Sequence, residues 1–200
     1  MIRLKLFMII FFFIIIVYLS FRFVQLLTKM NQQAIIPKTA EEMKSLRNFP
    51  QKPVDCPSYF NQKVGIILYI LMLIFVIVIF VIGALDKTID WWYFFLFFLP
   101  LVHSDNLLNL FAVVDDGLIS GNRFVSWKKI KSFHFAPIDV NHRFYGYSKE
   151  VNGGYELRIR VKYFSISCIV TSKEMKEKLA EILSEHGAMN ETRSELEDVR

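Results

Sequence analysis

Residues 64–85 read VGIILYILMLIFVIVIFVIGAL, a stretch without a charge in which 17 of 22 residues are Val, Ile, Leu or Phe. A helix of roughly 20 apolar residues crosses the hydrocarbon core of a bilayer, about 30 Å thick. At about 0.3–0.6 kcal/mol for each central Leu, Ile, Phe or Val, the stretch favours insertion by roughly 5–10 kcal/mol. Its middle, FVIVIFVI over 75–82, would read as a strand in water. In lipid an open strand leaves backbone groups unpaired, so the helix wins. The turn Asp86-Lys87-Thr88-Ile89-Asp90 follows, and a second apolar run opens on Trp91-Trp92-Tyr93. Together these predict a transmembrane hairpin over 63–113, with the three aromatics at the outer interface.

Working outward, the amino terminus supplies a third apolar run. Residues 6–19 are apolar apart from the Tyr18 hydroxyl, and Phe21, Phe23 and Val24 extend the run past Arg22. Arg3 and Lys5 before it fit a signal peptide as well as a span, but Tyr18-Leu19-Ser20-Phe21 is a poor cleavage site. An uncleaved helix over 1–28 is the expectation. The whole-chain numbers agree: 54% hydrophobic, 16% aromatic, twenty Phe and a mean hydropathy of +0.35.

Charge placement sets the orientation. Residues 29–63 carry Lys29, Lys38, Lys44, Arg47, Lys52 and Lys63, whereas the 86–90 turn carries Lys87 alone. With three spans, the positive-inside rule puts the 29–62 loop and the carboxy-terminal half in the cytoplasm, with Arg3 and Lys5 opposing weakly. Cys56 and Cys168 would then both face a reducing compartment, where a structural disulfide is not expected. The third span is the least clean, because Pro100 and then His103-Ser104-Asp105-Asn106 interrupt it.

Between the first two spans, 29–62 reads as a basic loop of low regularity punctuated by Pro37, Pro50, Pro53 and Pro57. A short helix over 39–46 is expected inside it, capped by Thr39 with Glu42 three residues on. From Phe111 the grammar changes to strands. Asp115-Asp116-Gly117 reads as a turn in which glycine supplies positive φ. Short strands are expected over 118–120, 124–127 and 130–136. Residues 155–163 alternate most clearly, with Tyr155, Leu157, Ile159, Val161 and Tyr163 on one face and Glu156, Arg158, Arg160 and Lys162 on the other. Residues 165–170 alternate too, and 139–154 form an excursion. A closing helix is expected from a Thr171/Glu174 capping box, an apolar stripe of Met175, Leu179, Ile182 and Leu183, and a stop at Gly187. The tail over 188–200 is polar.

The stretch Val114-Asp115-Asp116-Gly117-Leu118-Ile119, followed by Phe124-Val125-Ser126-Trp127-Lys128-Lys129-Ile130, resembles the opening of bacterial PH-like domains. The resemblance covers 114–187. It implies a strongly bent antiparallel sheet whose last helix covers an open end, with the Trp delivered into the barrel. The whole chain also resembles small membrane proteins of Gram-positive bacteria. That whole-chain likeness implies no activity; the PH-like resemblance implies a cytoplasmic binding or assembly module, in envelope stress or antimicrobial self-protection, and an enzyme is not expected. The expected class is therefore membrane α + β: three transmembrane helices, then a PH-like antiparallel β domain with a carboxy-terminal helix.

Two sets of residues are candidates for function. Arg158, Arg160 and Lys162 on one strand face, with Arg123, Lys128, Lys129 and Lys131 on nearby turns, could meet anionic lipid at about 1 kcal/mol per charge, or a protein partner. The same charges also suit a solvated sheet face that resists edge pairing. His103 and Asp105 could form an intramembrane polar site for a transport or channel accessory role. The simpler reading is that they sit near the inner interface, hydrated or capping a kink after Pro100, and spans one and two offer only Tyr18, Ser20, Arg22, Gln25 and Tyr69 as partners. His134, His142 and His186 lack metal spacing, and no nucleophile elbow or phosphate loop occurs. No catalytic residue, metal or cofactor is expected. Nucleic acid is not an expected partner either, since residues 115–200 hold 14 basic against 13 acidic residues. The sequence leaves the oligomeric state open.

Overall fold

The structure, a computed structural model, describes residues 2–86, 95, 99, 104 and 107–191. The expected outer turn over 86–90 past Asp86, the expected Trp91-Trp92-Tyr93 belt, most of the third expected span, His103 and Asp105 included, and the tail beyond Glu191 lie outside these residues. Fourteen labelled elements run in the order α1 (Ile2–Met30), β1 (Ala34–Ile36), α2 (Ala40–Ser45), β2 (Leu46–Arg47), α3 (Lys63–Leu85), β3 (Phe111–Val114), β4 (Gly117–Ser120), β5 (Arg123–Ser126), β6 (Ile130–Pro137), α4 (Lys149–Asn152), β7 (Tyr155–Val161), β8 (Ser165–Val170), α5 (Lys173–Glu185) and β9 (Met189–Asn190). The chain is thus mixed α and β.

Among the described residues, two helices are long and apolar enough to cross a membrane, Leu4–Met30 within α1 and Lys63–Leu85. Only 22% and 17% of their most apolar windows are buried within the chain, whereas the core helix of a soluble protein would be mostly covered. The two run antiparallel: Lys5 Nζ donates to the Asp86 carbonyl at one end, and Phe23 stacks on Tyr69 with centroids 4.2 Å apart nearer the other. The α1 stripe that faces the chain is Met8, Phe12, Ile16, Phe23, Leu26 and Met30, with Leu19 half-buried. That spacing of three to four residues is one face of a helix. Phe12 also meets Phe95 edge-on at 5.0 Å.

The strands form two sheets. The first has the order β1-β3-β4-β5, all antiparallel. The second has the order β2-β8-β7-β6-β9, antiparallel except for the last pair. Residues 29–62, expected as an irregular loop, supply β1 to the first sheet and β2 to the second. Strands of three and two residues are too short to show a period. Helix α2 forms as expected, with the Thr39 hydroxyl accepting from the Glu42 N–H at 3.2 Å. The Glu42 carboxylate reaches the Lys38 N–H at 2.6 Å rather than that of Thr39, and it pairs with Lys178 on α5.

The main core lies between the sheets. Phe111, Val113, Leu118 and Val125 from the first meet Phe133, Leu157, Ile159, Cys168 and Val170 from the second, and α5 adds Met175, Leu179 and Leu183. The other face of the first sheet is buried as well. Ala112, Val114, Ile119 and Phe124 pack with Phe23, Leu26, Leu27 and Met30 of α1 in one apolar cluster. Lys29 pairs with Asp116 in the β3–β4 turn, where Gln32 Nε2 also donates to Asp116 at 2.9 Å. The apolar helix therefore ends inside the β domain, with no free linker between them.

Three local readings are corrected. Gly117 is not at positive φ; it is needed because a Cβ there would lie 2.1 Å from the Val125 carbonyl oxygen. The α5 cap is Ser172, which accepts from the Met175 N–H, while Thr171 donates its hydroxyl to the Ser45 carbonyl. Ser172→Ala should therefore lower the unfolding free energy by about 1 kcal/mol, read by thermal unfolding of the full chain in detergent. Trp127 sits half-buried in a single 3₁₀ turn, Trp127–Lys129, at the edge of the core. Its indole donates to the Asp115 carbonyl at 2.9 Å and stacks on His186 at 4.0 Å, joining the β3–β4 turn to the end of α5. Gly187 ends α5 as expected, at φ +81°, with the Gly187 and Ala188 N–H groups donating to Ser184 and Leu183. That pair of bonds is the Schellman arrangement.

Candidate functional site

The outward face of the second sheet carries the densest polar cluster. In β7 the alternation places Glu156, Arg158 and Arg160 on this face, and the register sets Arg158 between His134 of β6 and Ser167 of β8. The 139–154 excursion folds back over one end of it. Ile138, Val151 and Ile169 form a small apolar cluster there with Phe144 against it, and Ser148 caps α4 by accepting from the Val151 N–H. This covering explains why Glu156, read from sequence as part of a solvated face, is fully buried.

Glu156 is saturated with donors. Its Oε1 accepts from Arg143 Nη2 at 2.6 Å and Ser167 Oγ at 2.6 Å. Its Oε2 accepts from Arg158 Nε at 2.8 Å and Nη2 at 2.7 Å, and lies 2.9 Å from His142 Nε2. His142 Nδ1 accepts the Phe144 N–H at 3.2 Å, which leaves its proton on Nε2, facing the carboxylate. Burial alone would raise the Glu156 pKa; hydrogen bonds from Arg158, Ser167 and Arg143 overcome it and hold the value down to about 2. A carboxylate so locked has no lone pair to offer a substrate and no tendency to take a proton near neutrality. It rivets the excursion to the sheet and is not a general base. Arg47 of β2 makes a second such link, pairing with Glu150 in α4 and donating from Nη1 to the Pro50 carbonyl at 3.2 Å. Next to it opens a cleft of about 630 Å³ lined by charges of both signs, among them Glu41, Lys44, Arg47 and Glu150.

The seven cationic residues expected on one surface fall into three groups. Arg158 is committed to Glu156, and Arg160 Nη1 lies 4.0 Å from Glu191. Arg123 lies over the Phe164 ring at 5.1 Å, and Lys162 over Tyr163 at 5.2 Å, both at the β7–β8 tip. Lys128, Lys129 and Lys131 stand exposed at the corner between β5 and β6. No ion-pair partner for these three is found among the described residues. His103 and Asp105 lie outside the described residues. His134 is pushed below its ordinary pKa by burial and then by Arg158 beside it, and burial pushes the Cys168 thiol up, so neither is a poised nucleophile or acid.

Sequence reasoning missed two further sites. One is the Glu156 rivet. The other is a cleft of about 310 Å³ at the start of α3, where Gln62 and Asn109 are each 4% exposed. Neither residue belongs to a recognisable motif, and the two come together across 47 positions. Comparison of the chain with protein-family models, curated proteins and solved structures finds no match to any of them.

Proposed function

We propose that the chain is an integral membrane protein of three spans that holds a PH-like β domain at the cytoplasmic surface as a protein-docking module. The observation that carries this is the shared cluster in which Leu26 and Met30 of α1 bury Ala112, Val114 and Ile119 of the first sheet. An apolar helix that ends inside a sheet fixes the domain's attitude to whatever solvates the helix. Support for the membrane as that solvent is the uncovered apolar surface of α1 and α3, with Phe7, Phe13, Phe21, Leu71 and Phe75 each at least half exposed. Support for the cytoplasmic side comes from Lys29 and Lys63, which mark the domain ends of the two helices. Support for a PH-like plan comes from six consecutive strands, β3 to β8, bent into two sheets with α5 closing the core.

Arg158 and Arg160 are engaged with acids of their own domain, so the docking surface is the corner of Lys128, Lys129 and Lys131. A partner with an acidic patch fits it. A photo-reactive residue placed at Lys129 of the full chain in intact cells is expected to give a discrete protein adduct, lost when Lys128 and Lys131 are changed to Glu. Adducts with lipid alone would replace docking by membrane-surface sensing. The absence of any adduct from Lys129, or a protein adduct untouched by the Lys128 and Lys131 changes, would contradict an interaction role at this corner.

A further inference from the structure

We propose that the cleft at the start of α3 binds an anionic phospholipid with a hydroxyl-bearing headgroup, an inference that rests on the membrane reading above. Two buried side chains that line it are each incompletely satisfied. Gln62 Nε2 is a buried donor without a partner, and Asn109 Oδ1 a buried acceptor without one. Asn109 is otherwise held firmly: its Nδ2 donates to the Pro53 carbonyl at 2.6 Å and its carbonyl accepts the Asp55 N–H at 2.9 Å. Buried polar groups in native proteins are nearly always paired, so an orphaned donor and an orphaned acceptor on two residues that line one cleft call for a ligand that both accepts and donates. A hydroxyl or a phosphodiester beside a hydroxyl has that chemistry.

The rest of the cleft agrees with an amphiphile. The N-cap residue Gln62 makes no side-chain capping bond to the first turn of α3, and the positive dipole end of that helix favours an anion. Lys52 lines the polar end, sharing its charge with Asp55 at 3.7 Å. The other end is apolar, formed by Leu107 with Val64 and Leu68, which are 63% and 42% exposed on the side of α3 that continues as bare apolar helix. A headgroup seated on Gln62 and Asn109 would let an acyl chain run along that face.

The test uses the full chain released from detergent and titrated with single lipids, with bound lipid counted by native mass spectrometry. Phosphatidylglycerol is expected to bind about tenfold more tightly than phosphatidylcholine. Lys52→Ala and Gln62→Leu should each remove most of that preference. Lys52 is exposed, so its variant keeps the fold whatever happens at Gln62. Gln62→Leu should in addition raise thermal stability in the absence of lipid, since it deletes an unpaired buried donor. Equal binding of the two lipids, or a preference untouched by both variants, would overturn the lipid site while leaving the membrane reading intact. Competition by glycerol phosphate at the same concentration as the lipid would overturn it in favour of a soluble phosphate. Extraction of the chain from membranes by alkaline carbonate would overturn both.

Discussion

Glu156→Ala is expected to lower the free energy of unfolding by about 3–5 kcal/mol, because it breaks a buried pair by removing one partner. Arg143, Arg158 and His142 would be left converging on an empty site, and the 139–154 excursion would lose its main tie to β7. Acid should mimic the variant. The folded-state pKa is depressed from 4.5 to about 2, so the contribution is fully present above about pH 4.5 and is lost as pH falls towards 2. At 1.36 kcal/mol per unit, that acid-labile part comes to about 3 kcal/mol. Glu156→Gln keeps the shape and one of the two accepting oxygens but removes the charge and the titration. Thermal unfolding between pH 2 and 7 should show a falling acid limb for the wild type and a flatter one for the Gln variant. A wild-type protein equally stable at pH 3 and pH 6 would show that Glu156 is not the rivet described.

Gly117→Val should be comparably severe, at about 3–4 kcal/mol or outright failure to fold. A Cβ at Gly117 would sit 2.1 Å from the Val125 carbonyl oxygen and 2.8 Å from the Ser126 Cα. Both are backbone atoms of the neighbouring strand, so no rotamer change relieves the clash, and the β4–β5 pairing must open. This sheet is buried on both faces, between the main core and α1, so it has no solvent side towards which to bulge. Gly153→Ala is the matched control: a Cβ there meets nothing within 4 Å and φ is not positive, so stability should hold or rise slightly. Equal loss from the two substitutions, in thermal unfolding of the detergent-solubilised chain, would refute the close-approach explanation.

The parts of the fold that were legible in the sequence are those with a sustained period. The alternation over 155–163 gave β7 to within two residues, and Met175, Leu179 and Leu183 gave the buried stripe of α5. Phe111-Ala112-Val113-Val114 was legible as a strand but not as one buried on both faces. Its outer cover is α1, more than 80 positions away, and no local pattern encodes such a distant contact. β1 and β2 were hidden by their shortness. Glu156 looked like the lone acid in a row of bases; only the excursion folding over it turned it into a buried ion, and that excursion has no period to read. Gln62 and Asn109 are ordinary polar residues until the fold buries both at one cleft.

Protease access in cells and in inverted membrane vesicles, read with a carboxy-terminal epitope tag, tests the central claim most directly. The account predicts that trypsin leaves the β domain intact in whole cells, which shield it, and removes it from inverted vesicles, while α1 and α3 stay in the pellet after alkaline carbonate. Digestion of the domain in whole cells, or release of the chain by carbonate, would contradict the account.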